Sequence, residues 1–92
     1  MDLIENINGS LIQHGPHNNR IYLMRLNPNH IASLIAVLDE MALQKGYGKI
    51  FAKIPAPAWD AFRSAGYIKE AVVPGFFTDK IDGFFIAKYF SA

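Results

Sequence analysis

No cysteine occurs in the 92 residues, so a disulfide frame, a thiol nucleophile and a Cys-based zinc site are all excluded. Charge of one sign is equally scarce. The 9 Lys and Arg stand against 8 acidic residues, leaving a formal charge of +1, and no basic run offers a footprint for a phosphate backbone. Nucleic acid is therefore not an expected partner. The apolar stretches fall well short of the ~20 residues that span a bilayer, and the opening "MDLIENING" has neither the basic region nor the apolar core of a secretion signal. These absences lead to the expectation of a cytoplasmic protein with no membrane role. Apolar and aromatic side chains, in contrast, make up 51% and 13% of the chain, enough for one small core and too many for a disordered segment. A single domain over residues 1–92 is expected.

Turn chemistry and hydrophobic periodicity divide the chain. Residues 3–7 and 10–14 flank Asn8-Gly9, a pair suited to the two positive φ angles of a type I′ turn, which predicts an opening hairpin. The polar "GPHNNR" breaks the pattern, and the apolar run of residues 21–26 then predicts a central strand. Asn27-Pro28 predicts a helix start, with Asn as the cap and Pro at the first position. Ile31, Leu34, Ile35, Leu38 and Met41 or Ala42 recur at helical spacing as far as the Lys45-Gly46 stop. "KIFAKIP" alternates as a strand parallel to the one before the helix, since a helical crossover joins them. A short helix over residues 58–65 ends at Gly66, and strands over residues 67–77 and 83–90 enclose the turn "TDKID". Gly75-Phe76-Phe77 is echoed by Gly83-Phe84-Phe85, which predicts cross-strand aromatic pairs. Pro74-Gly75 predicts a bulge or bend. The fold class is mixed α/β, in the order β-β-β-α-β-α-β-β.

Few residues carry chemistry. His14 and His17 form His-x-x-His beside Gly15-Pro16, weak candidates for a metal because no third His or Cys lies near and no helix holds the pair. No metal is expected, and His30 is placed in the first helical turn. Asp39, Glu40 and Glu70 are most simply solvated. Trp59, Phe76, Phe77 and Phe84, with Phe85, are weak candidates to line an aromatic cleft where the parallel strands splay; ordinary core packing is the simpler account of them. Lys49, Lys53 and Lys88 are candidates to guard a sheet edge against self-pairing.

At this point "IQHGPHNNRIYLMRLN", "KIFAKIPA", "GYIKEAVVPGFF" and "FFIAKYF", taken in order, give the chain a resemblance. Over about residues 20–90 it resembles the GNAT superfamily of acyl-CoA-dependent N-acetyltransferases. More narrowly, it is similar to the amino-terminal region of β-lysine N-acetyltransferases, which acetylate a β-amino acid to make a compatible solute. The resemblance implies a GNAT-like sheet, acetyl-CoA as the cofactor of the parent enzyme and an amino-acid substrate. Two departures stand out. The family's glycine-containing cofactor loop, whose backbone amides approach the pyrophosphate, corresponds to "RLNPNHIASL", which has no glycine and whose Pro28 removes one donor. A Tyr that many relatives place four residues before the Gly-aromatic pair corresponds to Phe62, which has no proton to give. Tyr67 and Tyr89 remain as strand residues. No catalytic or cofactor-binding residue is expected in these 92 residues. The expected role is a non-catalytic amino-terminal module of a longer acetyltransferase, partnered by a following catalytic GNAT domain or by a second copy. The alternative is a free-standing small-molecule-binding or dimerisation module.

Overall fold

The structure is a computed structural model that describes residues 2–90. Strands β1 (Leu3–Ile7) and β2 (Ser10–Gly15) form the opening hairpin, and β3 (Arg20–Arg25) pairs antiparallel to β2. A 3-10 turn (Pro28–His30) leads into α1 (Ile31–Lys45), which crosses to β4 (Lys49–Pro55), parallel to β3. A second 3-10 turn (Ala56–Ala58) precedes α2 (Trp59–Ser64), and β5 (Ile68–Val73) and β6 (Gly83–Tyr89) complete a six-stranded sheet ordered β1-β2-β3-β4-β6-β5. No helix among the described residues is long and apolar enough to cross a membrane.

The local chemistry acts where the sequence places it. Asn8 and Gly9 both adopt positive φ, 50° and 89°, and the Gly9 amide donates to Asn6 Oδ1 at 2.9 Å. Gly46 takes the left-handed conformation at φ 69° and ends α1, its amide donating to the Ala42 carbonyl. Alternation on β4 sends Ile50, Ala52 and Ile54 inward, fully buried, against Leu34, Leu38 and Ala42 of α1 and Phe62 of α2. Each large aliphatic side chain in this layer contributes roughly 1.5–3 kcal/mol by leaving water. Both helices therefore cover the same face of the sheet.

Four features differ from the sequence reading. The helix expected from Pro28 begins as a 3-10 turn, because His30 leaves helical geometry at φ −137°, and only Ile31 starts the α-helix. The strand expected to reach Phe77 ends at Val73. Pro74 has no amide to donate, Gly75 turns with φ 63°, and its N–H goes to Asp82 Oδ1 at 3.0 Å instead of to a neighbouring strand. The Gly-Phe-Phe echo thus forms no ladder of aromatic pairs. Phe76 folds back edge-on to Phe85 at 5.5 Å, a path open because a Cβ on Gly83 would stand 2.8 Å from the Phe76 Cβ. The bend expected at Pro74-Gly75 is present, and a further irregularity lies earlier in β5, where the register shifts between Lys69 and Ala71. Finally, the sheet edges are β1 and β5, so Lys49, Lys53 and Lys88, on the interior strands β4 and β6, guard no edge.

Asp39, expected in solvent, reaches across from α1 to β6, where Lys88 Nζ donates to both carboxylate oxygens at 3.0 Å. Removing one partner strands a charge that is mostly out of water. Asp39→Asn is expected to cost about 1–3 kcal/mol, and Asp39→Leu combined with Lys88→Met to recover more than half of that loss. Urea midpoints of the two variants and the parent check this; equal losses in both would remove the pair from the account.

Candidate functional site

In open sheets with parallel strands, ligands gather beyond the carboxyl ends of those strands. Here that location is the end of β3 and β4, whose ladder stops at Leu23 opposite Ala52, beside the start of α1. The first amides at this corner are already committed. The Asn27 N–H donates to Ser10 Oγ at 2.8 Å, Pro28 has no N–H, the Asn29 N–H donates to Asn27 Oδ1 at 3.1 Å and the His30 N–H donates to the Asn27 carbonyl at 3.3 Å. Asn27 Nδ2 meanwhile donates to the Asn8 carbonyl at 2.8 Å, fastening the corner to the hairpin turn. A pyrophosphate placed here would meet side chains and used donors, so these residues do not fit the acetyl-CoA cradle that the resemblance implies.

Phe62, at the position where the resemblance implies a proton donor, is fully buried and stands perpendicular to Tyr67 with ring centroids 5.1 Å apart. The Tyr67 hydroxyl is buried without a hydrogen-bond partner. Burial, and secondarily the Asp39 carboxylate, push its pKa far above the ordinary tyrosine value, which makes it a poorer acid as well as an inaccessible one. Tyr89 is exposed, and its hydroxyl donates to Glu70 Oε2 at 2.5 Å, tying β6 to the kink in β5. Glu70 is thus held by Tyr89, not solvated alone, while Glu40 accepts from Gln44 Nε2 on the exposed side of α1.

His14 and His17 do not act together. His14 is buried in β2 with both ring nitrogens engaged, Nδ1 with the Tyr47 hydroxyl at 3.0 Å and Nε2 with Glu5 Oε1 at 2.5 Å. His17 is exposed in the following turn, its backbone amide donating to Asp2 Oδ1 at 3.2 Å. Among the described residues no three His, Cys, Asp or Glu side chains gather as metal ligands. Desolvation first, then the carboxylates of Asp2 and Glu5, raise the pKa of Tyr47. Sequence reasoning missed the Glu5–His14–Tyr47 chain, although half of it was readable: the Asn8-Gly9 turn puts Glu5 opposite Ile12, which makes His14 its diagonal neighbour.

The aromatic candidates divide between the faces of the sheet. Trp59 and Phe84 meet at 6.1 Å on the helix-covered face, with Lys69 Nζ 4.5 Å from the Phe84 ring centroid. Phe76 lies on the other face against Phe85, and Phe77 stacks edge-on to Phe76 at 5.0 Å. They do not line one cavity. A depression of about 230 Å³ lies elsewhere, beside the end of α1, between Asn19, Leu43, Gly46, Tyr47, Gly48 and Phe90.

No family model matches the chain. A β-lysine N(6)-acetyltransferase of Methanococcus maripaludis is 33% identical to it over 90 residues, covering 98% of this chain and 32% of that protein. The chain thus spans about a third of the length of the curated relative it matches. Among solved structures, a protein of Agrobacterium tumefaciens described as an acetyltransferase superposes with a TM-score of 0.70 at 16% identity, covering 98% of this chain and 75% of that one. Nourseothricin acetyltransferase gives a TM-score of 0.64 at 17% identity, with 87% and 55% covered. The fold is that of the GNAT acetyltransferases. A third GNAT-fold structure, the NatC complex bound to Gag peptide and CoA, superposes with a TM-score of 0.66 at 15% identity, with 96% and 69% covered. Likeness to GNAT folds at these identities concerns architecture alone.

Two outcomes are expected from these contacts. Asn27→Ala removes the cap and the tie to Asn8, and is expected to lower stability by about 1–2 kcal/mol and to speed exchange of the Asn29 amide, measured by urea midpoint and hydrogen exchange. Tyr67 is protonated in the native state, while the unfolded chain begins to release that proton near the ordinary value of 10.0. Stability is therefore fully present below about pH 10 and falls as pH rises above it. Tyr67→Phe is expected to match or exceed the parent at neutral pH and to lose stability less steeply between about pH 9 and about pH 11. An unchanged alkaline slope would show that Tyr67 is not its source.

Proposed function

We propose that this chain is the amino-terminal, non-catalytic GNAT-like module of a β-lysine N-acetyltransferase, and that acetyl-CoA binds outside these residues, on a catalytic domain of the same parent. The parent would transfer an acetyl group from acetyl-CoA to an amino-acid amine in compatible-solute synthesis. The observation that carries the reading is the closed corner at the start of α1. Four successive positions either lack an amide or have committed it within the chain. The buried phenyl ring of Phe62 supports it independently, since a hydrocarbon ring cannot protonate a departing thiolate. The identity to the Methanococcus relative, spread over nearly all of this chain but a third of that protein, fits a module within a larger enzyme.

Calorimetric titration of the 92-residue chain with acetyl-CoA is expected to give no saturable heat up to about 1 mM ligand. Release of CoA thiol with β-lysine as acceptor is expected to stay at background. Micromolar binding, or turnover above background, would overturn the reading.

A further inference from the structure

Asn8-Gly9 is the one Asn-Gly pair in the chain, and the two residues that fold the hairpin are also placed to react with one another. Glycine has no Cβ to hold its backbone nitrogen away from the preceding side chain, so the Gly9 nitrogen has an open approach to the Asn8 carboxamide carbon. The other asparagines lack this freedom. Asn6, Asn18, Asn19 and Asn29 are each followed by a residue that has a Cβ, and Asn27 by Pro28, whose nitrogen has no hydrogen to lose. Asn8 and Gly9 both lie exposed at the tip of the turn, within reach of water.

The fold holds the peptide unit between them from both ends. Its N–H, that of Gly9, donates to Asn6 Oδ1 at 2.9 Å, and its carbonyl, that of Asn8, accepts from Asn27 Nδ2 at 2.8 Å. Attack needs the opposite, a nitrogen free to give up its proton and a peptide plane free to swing toward the Asn8 side chain. We propose that Asn8 is a site of spontaneous deamidation gated by this clamp, slow while Asn6 and Asn27 hold the peptide and fast once either lets go. The Gly9 nitrogen forms a bond to Asn8 Cγ and gives its proton to a solvent base. The carboxamide C–N bond breaks, and the leaving nitrogen takes a proton from water and departs as ammonia. Water then opens the cyclic imide at one of its two carbonyls, leaving an aspartyl or an isoaspartyl residue, with no change of oxidation state.

The product matters because of where it forms. Either one adds a negative charge at the turn, and the isoaspartyl form carries the main chain through the former side chain, one carbon longer. The turn has no slack for it, since Asn8 and Gly9 already take φ of 50° and 89° and a Cβ on Gly9 would stand 2.5 Å from Asn27 Nδ2. Both hydrogen bonds of the clamp are exposed, so local opening releases the peptide without unfolding the core. Conversion then runs one way, because a lengthened turn does not re-form the clamp, and it loosens the entry of α1 that Asn27 caps. None of these steps depends on the acetyltransferase reading.

The test ages the 92-residue chain in mildly alkaline buffer and follows each Asn by peptide mapping, with mass-spectrometric fragmentation that separates aspartate from isoaspartate. The folded parent is expected to convert at Asn8 ahead of Asn18 and Asn19, and at least about tenfold more slowly than the same chain unfolded in urea. Asn6→Ala is expected to speed conversion about three- to tenfold, the worth of one lost hydrogen bond, while Asn6→Asp, which keeps an acceptor for the Gly9 amide, stays close to the parent. Asp39→Asn, which destabilises the chain away from the turn, is expected to leave the rate at Asn8 unchanged, and so separates release of the clamp from global unfolding. A second readout serves should Asn6→Ala lose its fold. The isoaspartyl fraction of the aged parent, isolated by ion exchange, is expected to show a lower urea midpoint and faster exchange of the Asn29 amide. Equal rates in the folded and unfolded parent, an Asn6→Ala rate no higher than that of the parent or of Asp39→Asn, conversion led by another Asn, or an aged fraction with the parent's midpoint would each overturn the proposal.

Discussion

Asn27 uses all of its polar groups inside the chain. Its backbone amide goes to Ser10, its side-chain amide to the Asn8 carbonyl, its side-chain oxygen takes the Asn29 amide and its carbonyl takes that of His30. One residue thereby closes the β1–β2 hairpin onto the entry of α1. The grip is tight enough that a Cβ at Gly9 would stand 2.5 Å from Asn27 Nδ2, so the turn glycine is required by contact as well as by its φ. The path out of β3 and the entry of α1 are thereby fastened to the hairpin turn. The proposed function rests on the same junction, because its amides are already hydrogen-bonded within the chain.

The sheet that hangs from this junction is satisfied on one side. Its central strand β4 sends three aliphatic residues to the helices and a Lys-Phe-Lys set to the other face. A lysine in mid-sheet lays its stem along neighbouring rings and keeps its ammonium wet, so the open face is compatible with a folded monomer. Among the described residues Lys49 and Lys53 have no carboxylate within ion-pair distance. Asp39 supplies one to Lys88 from α1, which shows that a helix carboxylate can reach a lysine between packed side chains in this fold.

Local signals were legible wherever the chemistry is confined to a few adjacent residues. Asn8-Gly9, Asn27-Pro28, Lys45-Gly46 and the alternation of "KIFAKIP" each marked an element that the structure bears out, with boundaries one to three residues off where 3-10 turns intervene. Partnerships over long sequence distances were not legible. Asp39 and Lys88 lie 49 residues apart and His14 and Tyr47 lie 33 apart, and nothing in the chain near either member announces the other. The aromatic cleft failed for a related reason. Alternation sets Phe84 and Phe85 on opposite faces wherever the strand begins, but it does not place Phe76 and Phe77, which lie outside a strand, or say which face the helices cover.

Phe62, at the position where the resemblance implies an acid, is bound to the fold. With six residues, α2 is too short to be stable alone and depends on what it buries. Its fully buried anchor is Phe62, set edge-on to Tyr67. A hydroxyl added to Phe62 would enter the neighbourhood where that of Tyr67 already lies without a partner, adding a second desolvated group to the first. Placing an acid at this position thus asks for more than one oxygen atom. It asks for a water path or a polar partner where the short helix has its anchor, and without them the added hydroxyl would weaken the element that carries it.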